Sequence, residues 1–130
     1  MSVIKRIRQE AVSLDKRIVY PEGEDERLII ASSMVTRERI ARAVLLGDEK
    51  VIREKAAERG ISLSGVQIIN PLLSENLEKY AELLYELRRS KGMTPEEALE
   101  TAKDPMYYAV LMVKNGDADG EVAGASHATA

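Results

Sequence analysis

The segment Gly124-Ala125-Ser126-His127-Ala128-Thr129 gathers residue types suited to holding a small anionic ligand. Small side chains let backbone N–H groups approach closely, while hydroxyls and an imidazole add directed hydrogen bonds. A surface turn accounts for the same composition. His127 is the single histidine, and the spacing identifies no Ser-His-acid arrangement around it, so the catalytic residue is left unassigned.

Two further clusters carry charge. Arg88, Arg89 and Lys91 close a helical pattern before Gly92. A guanidinium such as that of Arg88 can grip a phosphate through two parallel hydrogen bonds, although cations at a helix C-terminus also simply oppose its negative end. Pro21-Glu22-Gly23-Glu24-Asp25-Glu26-Arg27 follows a short β-branched run, where a loop of an α/β sheet faces the ligand crevice. From composition alone this cluster reads as an acidic helix start, because the helix dipole favours carboxylates there. Carboxylates repel phosphate, so Glu22, Glu24 and Asp25 suit the orientation of basic groups better than the cradling of an anion. The glycine fingerprints of dinucleotide and NTP sites are absent.

The elements that would position these clusters alternate. Strands are predicted at Arg17–Tyr20, Ala43–Leu46 and Val66–Ile69, with a short fourth at Glu121–Ala123. Between them lie helical stripes: Leu28, Ala31 and Val35; Val51, Ile52 and Ala56; Leu77, Tyr80, Leu84 and Leu87; and Met106, Ala109, Val110 and Val113. Ser2 before Val3, Ile4, Ile7 and Val12 predicts a further short amphipathic helix. Thr94-Pro95-Glu96-Glu97 carries a capping box with proline at the first helical position, and Asp104-Pro105 restarts the chain in the same way. Strand–helix alternation predicts a three-layer α/β/α fold with a mainly parallel sheet. No repeat or linker divides the 130 residues, which form one α/β domain.

Composition excludes several function classes. A net charge of -3 and five tyrosines without phenylalanine or tryptophan offer neither a positive field nor a stacking platform for nucleic acid. Without cysteine and with one histidine, thiol catalysis, disulfides and Cys- or His-based metal sites are excluded, and no metal is expected. No apolar run reaches the roughly 20 residues of a membrane span, and the N-terminus lacks the apolar core of a signal peptide, so a cytoplasmic location is expected.

Several blocks, taken in order, have a family likeness. Val19-Tyr20-Pro21-Glu22-Gly23-Glu24-Asp25-Glu26-Arg27, Leu45-Leu46-Gly47, Ser64-Gly65-Val66, Tyr80–Arg88, Lys91-Gly92-Met93-Thr94, Asp104–Tyr107 and Gly116-Asp117-Ala118-Asp119-Gly120 resemble the N-terminal portion of the phosphate acetyl/butyryltransferases. The resemblance implies an isocitrate/isopropylmalate dehydrogenase-like fold of two α/β domains, usually dimeric. It implies an acyltransferase acting on acetyl-CoA, phosphate, acetyl phosphate and CoA, with CoA as substrate and no tightly bound cofactor. It assigns substrate or phosphate binding to Arg88, Gly124, His127 and Thr129. The family's loop usually carries hydroxyls where this chain has Ala123 and Ala128. On that likeness residues 1–130 read as a truncated N-terminal domain, inactive without the family's later Asp, Arg-Pro and Ser-Arg elements. A phosphate butyryltransferase, or a non-catalytic module for acyl-CoA sensing or oligomerisation, are the alternatives.

Overall fold

The computed structural model describes residues 15–123, and the helix expected in residues 2–12 lies outside them. The elements are β1 (Arg17–Tyr20), α1 (Glu26–Arg37), β2 (Arg42–Leu46), α2 (Glu49–Glu58), β3 (Gln67–Ile69), α3 (Leu77–Arg88), α4 (Pro95–Ala102), α5 (Pro105–Lys114) and β4 (Gly120–Glu121). Short 3-10 turns occupy Pro71–Leu73 and Arg89–Lys91.

The strands form one sheet in the order β3-β2-β1-β4, and every pairing is parallel. Tyr20 stands beside Leu45 and Leu46 beside Ile69, so the carboxyl ends of β1, β2 and β3 lie at one edge. Alternation of side chains along each strand then separates two cores. Val19, Val44 and Leu46 face Tyr80, Leu84, Ala98, Tyr108 and Leu111 of α3, α4 and α5. Tyr20, Ala43 and Leu45 face Leu28, Ile29, Ile52 and Ala56 of α1 and α2. Both sheet faces are covered, which is why β2 reads as a continuous apolar run, and the three-layer α/β/α expectation holds.

Local capping follows the sequence closely. Asp25, Asp48 and Asp104 accept from the backbone N–H groups of Arg27, Val51 and Met106, and Thr94 with Glu97 completes the capping box of α4. Each satisfies an otherwise orphaned donor in a first helical turn.

Three helical stripes depart in part from expectation: α1 buries a different face, while α3 and α5 keep most of the expected residues inward. In α1 the buried residues are Leu28, Ile29, Ser32 and Ser33, and the Ser32 and Ser33 hydroxyls donate to the carbonyls of Ile29 and Ser62, each at 2.8 Å. In α3, Leu87 is 45% exposed while Tyr80 and Leu84 are buried. In α5, Val110 is 48% exposed and Tyr108, Ala109, Leu111 and Met112 turn inward. That helix is apolar almost all round, so its sequence does not select a face.

Candidate functional site

The carboxyl edge of the sheet, where ligands of parallel α/β folds gather, is built from the loops after β1, β2 and β3. They are tied to one another. The Gly23 N–H donates to the Leu46 carbonyl at 3.1 Å, and the Gly47 N–H to that of Ile69 at 3.0 Å. A Cβ on Gly23 would stand 2.4 Å from the Leu46 carbonyl oxygen. Only glycine lets these two backbones meet.

Glu24 joins the same loops through its side chain. Its Oε2 accepts from the Asp48 N–H at 2.9 Å, while its backbone carbonyl accepts from Lys55 Nζ at 2.6 Å. Gly47, at φ +148, lies directly beneath it, and a Cβ there would meet Glu24 Cγ at 2.8 Å. The carboxylate thus supplies the negative charge favoured at the start of α2. Asp25 caps α1 and pairs with Arg27 at 2.8 Å, and that hydrogen-bonded guanidinium holds its carboxyl below the usual range.

Two cavities open at this edge. The smaller, of about 200 Å³, is lined by Pro21 to Asp25, Leu46, Gly47 and Pro105 and contains no cationic side chain. The larger, of about 640 Å³, runs between the start of α2 and the turn after β3 and is lined by Asp48, Glu49, Lys50 and Glu75 among others. The acidic loop engages backbone and basic groups: Glu24 takes the Asp48 N–H and, through its carbonyl, Lys55, and Asp25 takes Arg27.

Arg88 lies elsewhere. Helix α3 starts beside the larger cavity, which Asn76 lines, and Arg88 ends it twelve residues on, about 18 Å of helix away. There it lines a separate depression of about 200 Å³ with Lys91, Gly92, Met93 and Glu97. Arg89 pairs with Glu86 at 3.6 Å, whereas Arg88 forms no ion pair among the described residues. Its guanidinium is exposed and available to an anion. Gly124, His127 and Thr129 fall outside the described residues; they follow β4, whose carboxyl end lies beside that of β1. Among the described residues no cluster of three His, Cys, Asp or Glu side chains is arranged to hold a metal ion, and no helix is long and apolar enough to cross a membrane.

A buried tyrosine pair stands behind these elements. Tyr80 and Tyr108 meet edge to face, with ring centroids 4.9 Å apart. Tyr108 shares a hydrogen bond of 2.5 Å with Ser74, and the Tyr80 hydroxyl donates to Asp117. Burial first, and then the Asp117 carboxylate, push the Tyr80 phenol far above its ordinary value.

Comparison with known proteins settles the family. A family model described as "Phosphate acetyl/butaryl transferase" matches residues 2–130. The chain belongs to that family. It is 54% identical over 130 residues to the phosphate acetyltransferase of Acetivibrio thermocellus, covering 100% of this chain and 39% of that protein. The Bacillus subtilis phosphate acetyltransferase is 35% identical over 124 residues, covering 95% of this chain and 38% of the relative. A phosphotransacetylase structure from Streptococcus pyogenes superimposes with a TM-score of 0.90 at 32% identity, covering 99% of this chain and 40% of that one. The EutD phosphotransacetylase structure from Staphylococcus aureus gives 0.88 at 31%, covering 98% and 38%. The chain therefore spans about 39% of the length of the first of these relatives.

The family likeness lay in several sequence blocks in order, among them Val19–Arg27 and Gly116–Gly120, but the physical roles of those blocks were not legible in the sequence. The Glu24 link to Asp48 and the engagement of Asp117 and Asp119 are contacts between distant parts of the chain. The only signal for them was aspartate and glutamate interleaved with glycine next to strand ends.

Proposed function

We propose that the full-length protein is a phosphate acetyltransferase and that this chain forms its N-terminal α/β portion. The observation that carries the proposal is the 54% identity to a phosphate acetyltransferase across all 130 residues. The reaction interconverts acetyl-CoA plus phosphate with acetyl phosphate plus CoA. A phosphate oxygen attacks the thioester carbonyl, the new C–O bond replaces C–S, and CoA leaves as a thiolate that takes up a proton.

Such a reaction gains most from holding phosphate and thioester in line and from donors aimed at the developing oxyanion. Arg88 is proposed to bind a phosphate group through its exposed guanidinium, and Gly124, His127 and Thr129 to bind phosphate or acetyl phosphate beyond β4. CoA enters as substrate, with no tightly bound cofactor and no metal. The reading includes a homodimer and a cytoplasmic location. The acidic edge loops act as scaffold, and the 130 residues alone are proposed to be inactive.

The test is phosphate-dependent release of thiol from acetyl-CoA by the full-length protein, with butyryl-CoA run in parallel. Faster release from acetyl-CoA supports the proposal. Preference for butyryl-CoA moves the assignment to a phosphate butyryltransferase, and no release from either substrate moves it to a non-catalytic acyl-CoA module.

A further inference from the structure

Ser74 stands in the wall of the larger cavity, between the buried tyrosine pair and the open space. Its Oγ accepts from the Asn76 N–H at 3.1 Å and lies 2.5 Å from the Tyr108 hydroxyl oxygen. In that second pair Tyr108 is the donor. Tyr108 is fully buried, and Ser74 is its hydroxyl's partner among the described residues, so accepting would strand its own proton at the full cost of desolvating an unpaired donor. With Tyr108 donating, both lone pairs of the serine oxygen are occupied. The Ser74 proton then has no acceptor among the described residues, and with the core side taken by Tyr108 it is turned to the cavity.

The neighbouring groups complete a pattern. Asn70 Oδ1 accepts from the Leu72 N–H at 3.0 Å, which leaves its amide nitrogen to donate. The Asn76 side chain makes no capping bond to α3, so its amide oxygen is available as an acceptor. Ile69 and Leu73 add apolar surface to the same lining. Charge then narrows the ligand. Asp48, Glu49 and Glu75 outnumber the Lys50 ammonium, and the positive end of α2 is already served by the Asp48 and Glu24 carboxylates. That balance disfavours an anion. Donors for a carbonyl oxygen, an acceptor for an N–H and an apolar wall match an uncharged amide.

From this geometry we propose that the larger cavity binds an uncharged, amide-bearing chain, with Ser74 donating to a carbonyl oxygen and Tyr108 acting as the positioning residue that fixes its proton. Resting on the acetyltransferase reading, that chain is the pantetheine arm of CoA, whose amides lie between the thioester and the phosphates. The amide site itself stands on the hydrogen-bond arrangement and not on that reading.

The test titrates pantetheine, which carries the amides without the phosphates, into the full-length protein by calorimetry, with inorganic phosphate in parallel and hydrogen exchange at the Asn76 amide to locate binding. Pantetheine is expected to slow Asn76 exchange and phosphate to leave it unchanged. Ser74→Ala is expected to weaken pantetheine binding about fivefold, the worth of one ordinary hydrogen bond. Because that variant also strands the Tyr108 hydroxyl, the double variant Ser74→Ala/Tyr108→Phe is made as well. Removing both partners is expected to recover stability without recovering affinity. Unchanged affinity in the double variant, no binding of pantetheine by the wild type, or phosphate slowing Asn76 exchange in its place overturns the proposal. Ser74-dependent pantetheine binding by a protein that transfers no acetyl group keeps the amide site and defeats the acetyltransferase reading. Acetyl transfer with Ser74-independent binding does the reverse.

Discussion

The Tyr80 hydroxyl donates to the Asp117 carboxylate, tying the first turn of α3 to the turn that feeds β4. Asn115 Nδ2 donates to the same carboxylate at 2.8 Å, and the Arg17 guanidinium contacts the Asp117 carbonyl at 3.4 Å. One side chain therefore couples the helix that carries Arg88 to the strand that precedes Gly124. Tyr80→Phe removes the hydroxyl while keeping the ring against Tyr108. It is expected to lower stability by about 1–2 kcal/mol, because a hydrogen bond to a partly solvated carboxylate is lost. A urea midpoint equal to that of the wild type would show that the bond contributes nothing.

The pair also sets a pH profile. Asp117 is held below the usual carboxylate range, first by the Tyr80 hydroxyl and then by Asn115. A depressed carboxyl adds stability that is complete above its unfolded value of about 4 and fades as pH falls through the folded value. Tyr80 is shifted upward, so its contribution is complete below about 10 and fades as pH rises further. Asp117→Asn is expected to flatten the acid limb of the stability profile, and Tyr80→Phe part of the alkaline limb. Asp25, lowered by Arg27, preserves some of the acid limb, and Tyr108 and Tyr20, raised by burial, some of the alkaline limb. An unchanged acid limb in Asp117→Asn would refute this assignment.

Gly23 and Gly47 separate backbone crowding from side-chain crowding. A Cβ on Gly23 meets the Leu46 carbonyl at 2.4 Å, a neighbour that cannot yield without moving β2. Gly23→Ala is expected to cost about 2–4 kcal/mol, at and beyond the upper end of ordinary overpacking. At Gly47 the obstruction is the Glu24 side chain, 2.8 Å from the added Cβ, together with φ +148. Gly47→Ala is expected to cost about 1–3 kcal/mol, and a double-mutant cycle with Glu24→Ala should show partial relief of the clash. Strict additivity in that cycle would place the whole cost in the backbone.

Arg88 is exposed at the end of α3, so replacing it tests binding without disturbing the core. Arg88→Ala is expected to change stability by less than about 0.5 kcal/mol. In the full-length protein it should raise the KM of a phosphate-bearing substrate by about tenfold or more, the worth of a charge-assisted contact. Arg88→Lys is expected to recover only part of the loss, since an ammonium lacks the planar fork. Unaltered kinetics in both variants would remove Arg88 from the site.

Much of this fold was legible in the residues. Val19, Val44 and Leu46 could be placed in strands because β-branched and apolar runs stop at Pro21, Gly47 and Asn70-Pro71, and Thr94 and Asp104 announced their helices through capping chemistry. Helix rotation was less legible. Adjacent Tyr107 and Tyr108 are the same residue type, yet one is 42% exposed and the other fully buried, a choice made by Ser74 and Tyr80 across the core. The serine-lined face of α1 was missed for a similar reason, since Ser32 and Ser33 become buriable only once their hydroxyls find carbonyls. At the site, residue chemistry suits the acidic loop to orienting basic groups, but only the fold reveals Glu24 reaching the Asp48 N–H. Sequence spacing does not encode which loops meet.

The most direct measurement is thioester formation from acetyl phosphate and CoA, with the full-length protein and the 130-residue chain assayed side by side. Activity in the full-length protein, and none in the 130 residues, is the predicted result. A fully active 130-residue chain would contradict the proposed division of the site, and an inactive but folded full-length protein would contradict the acetyltransferase assignment itself.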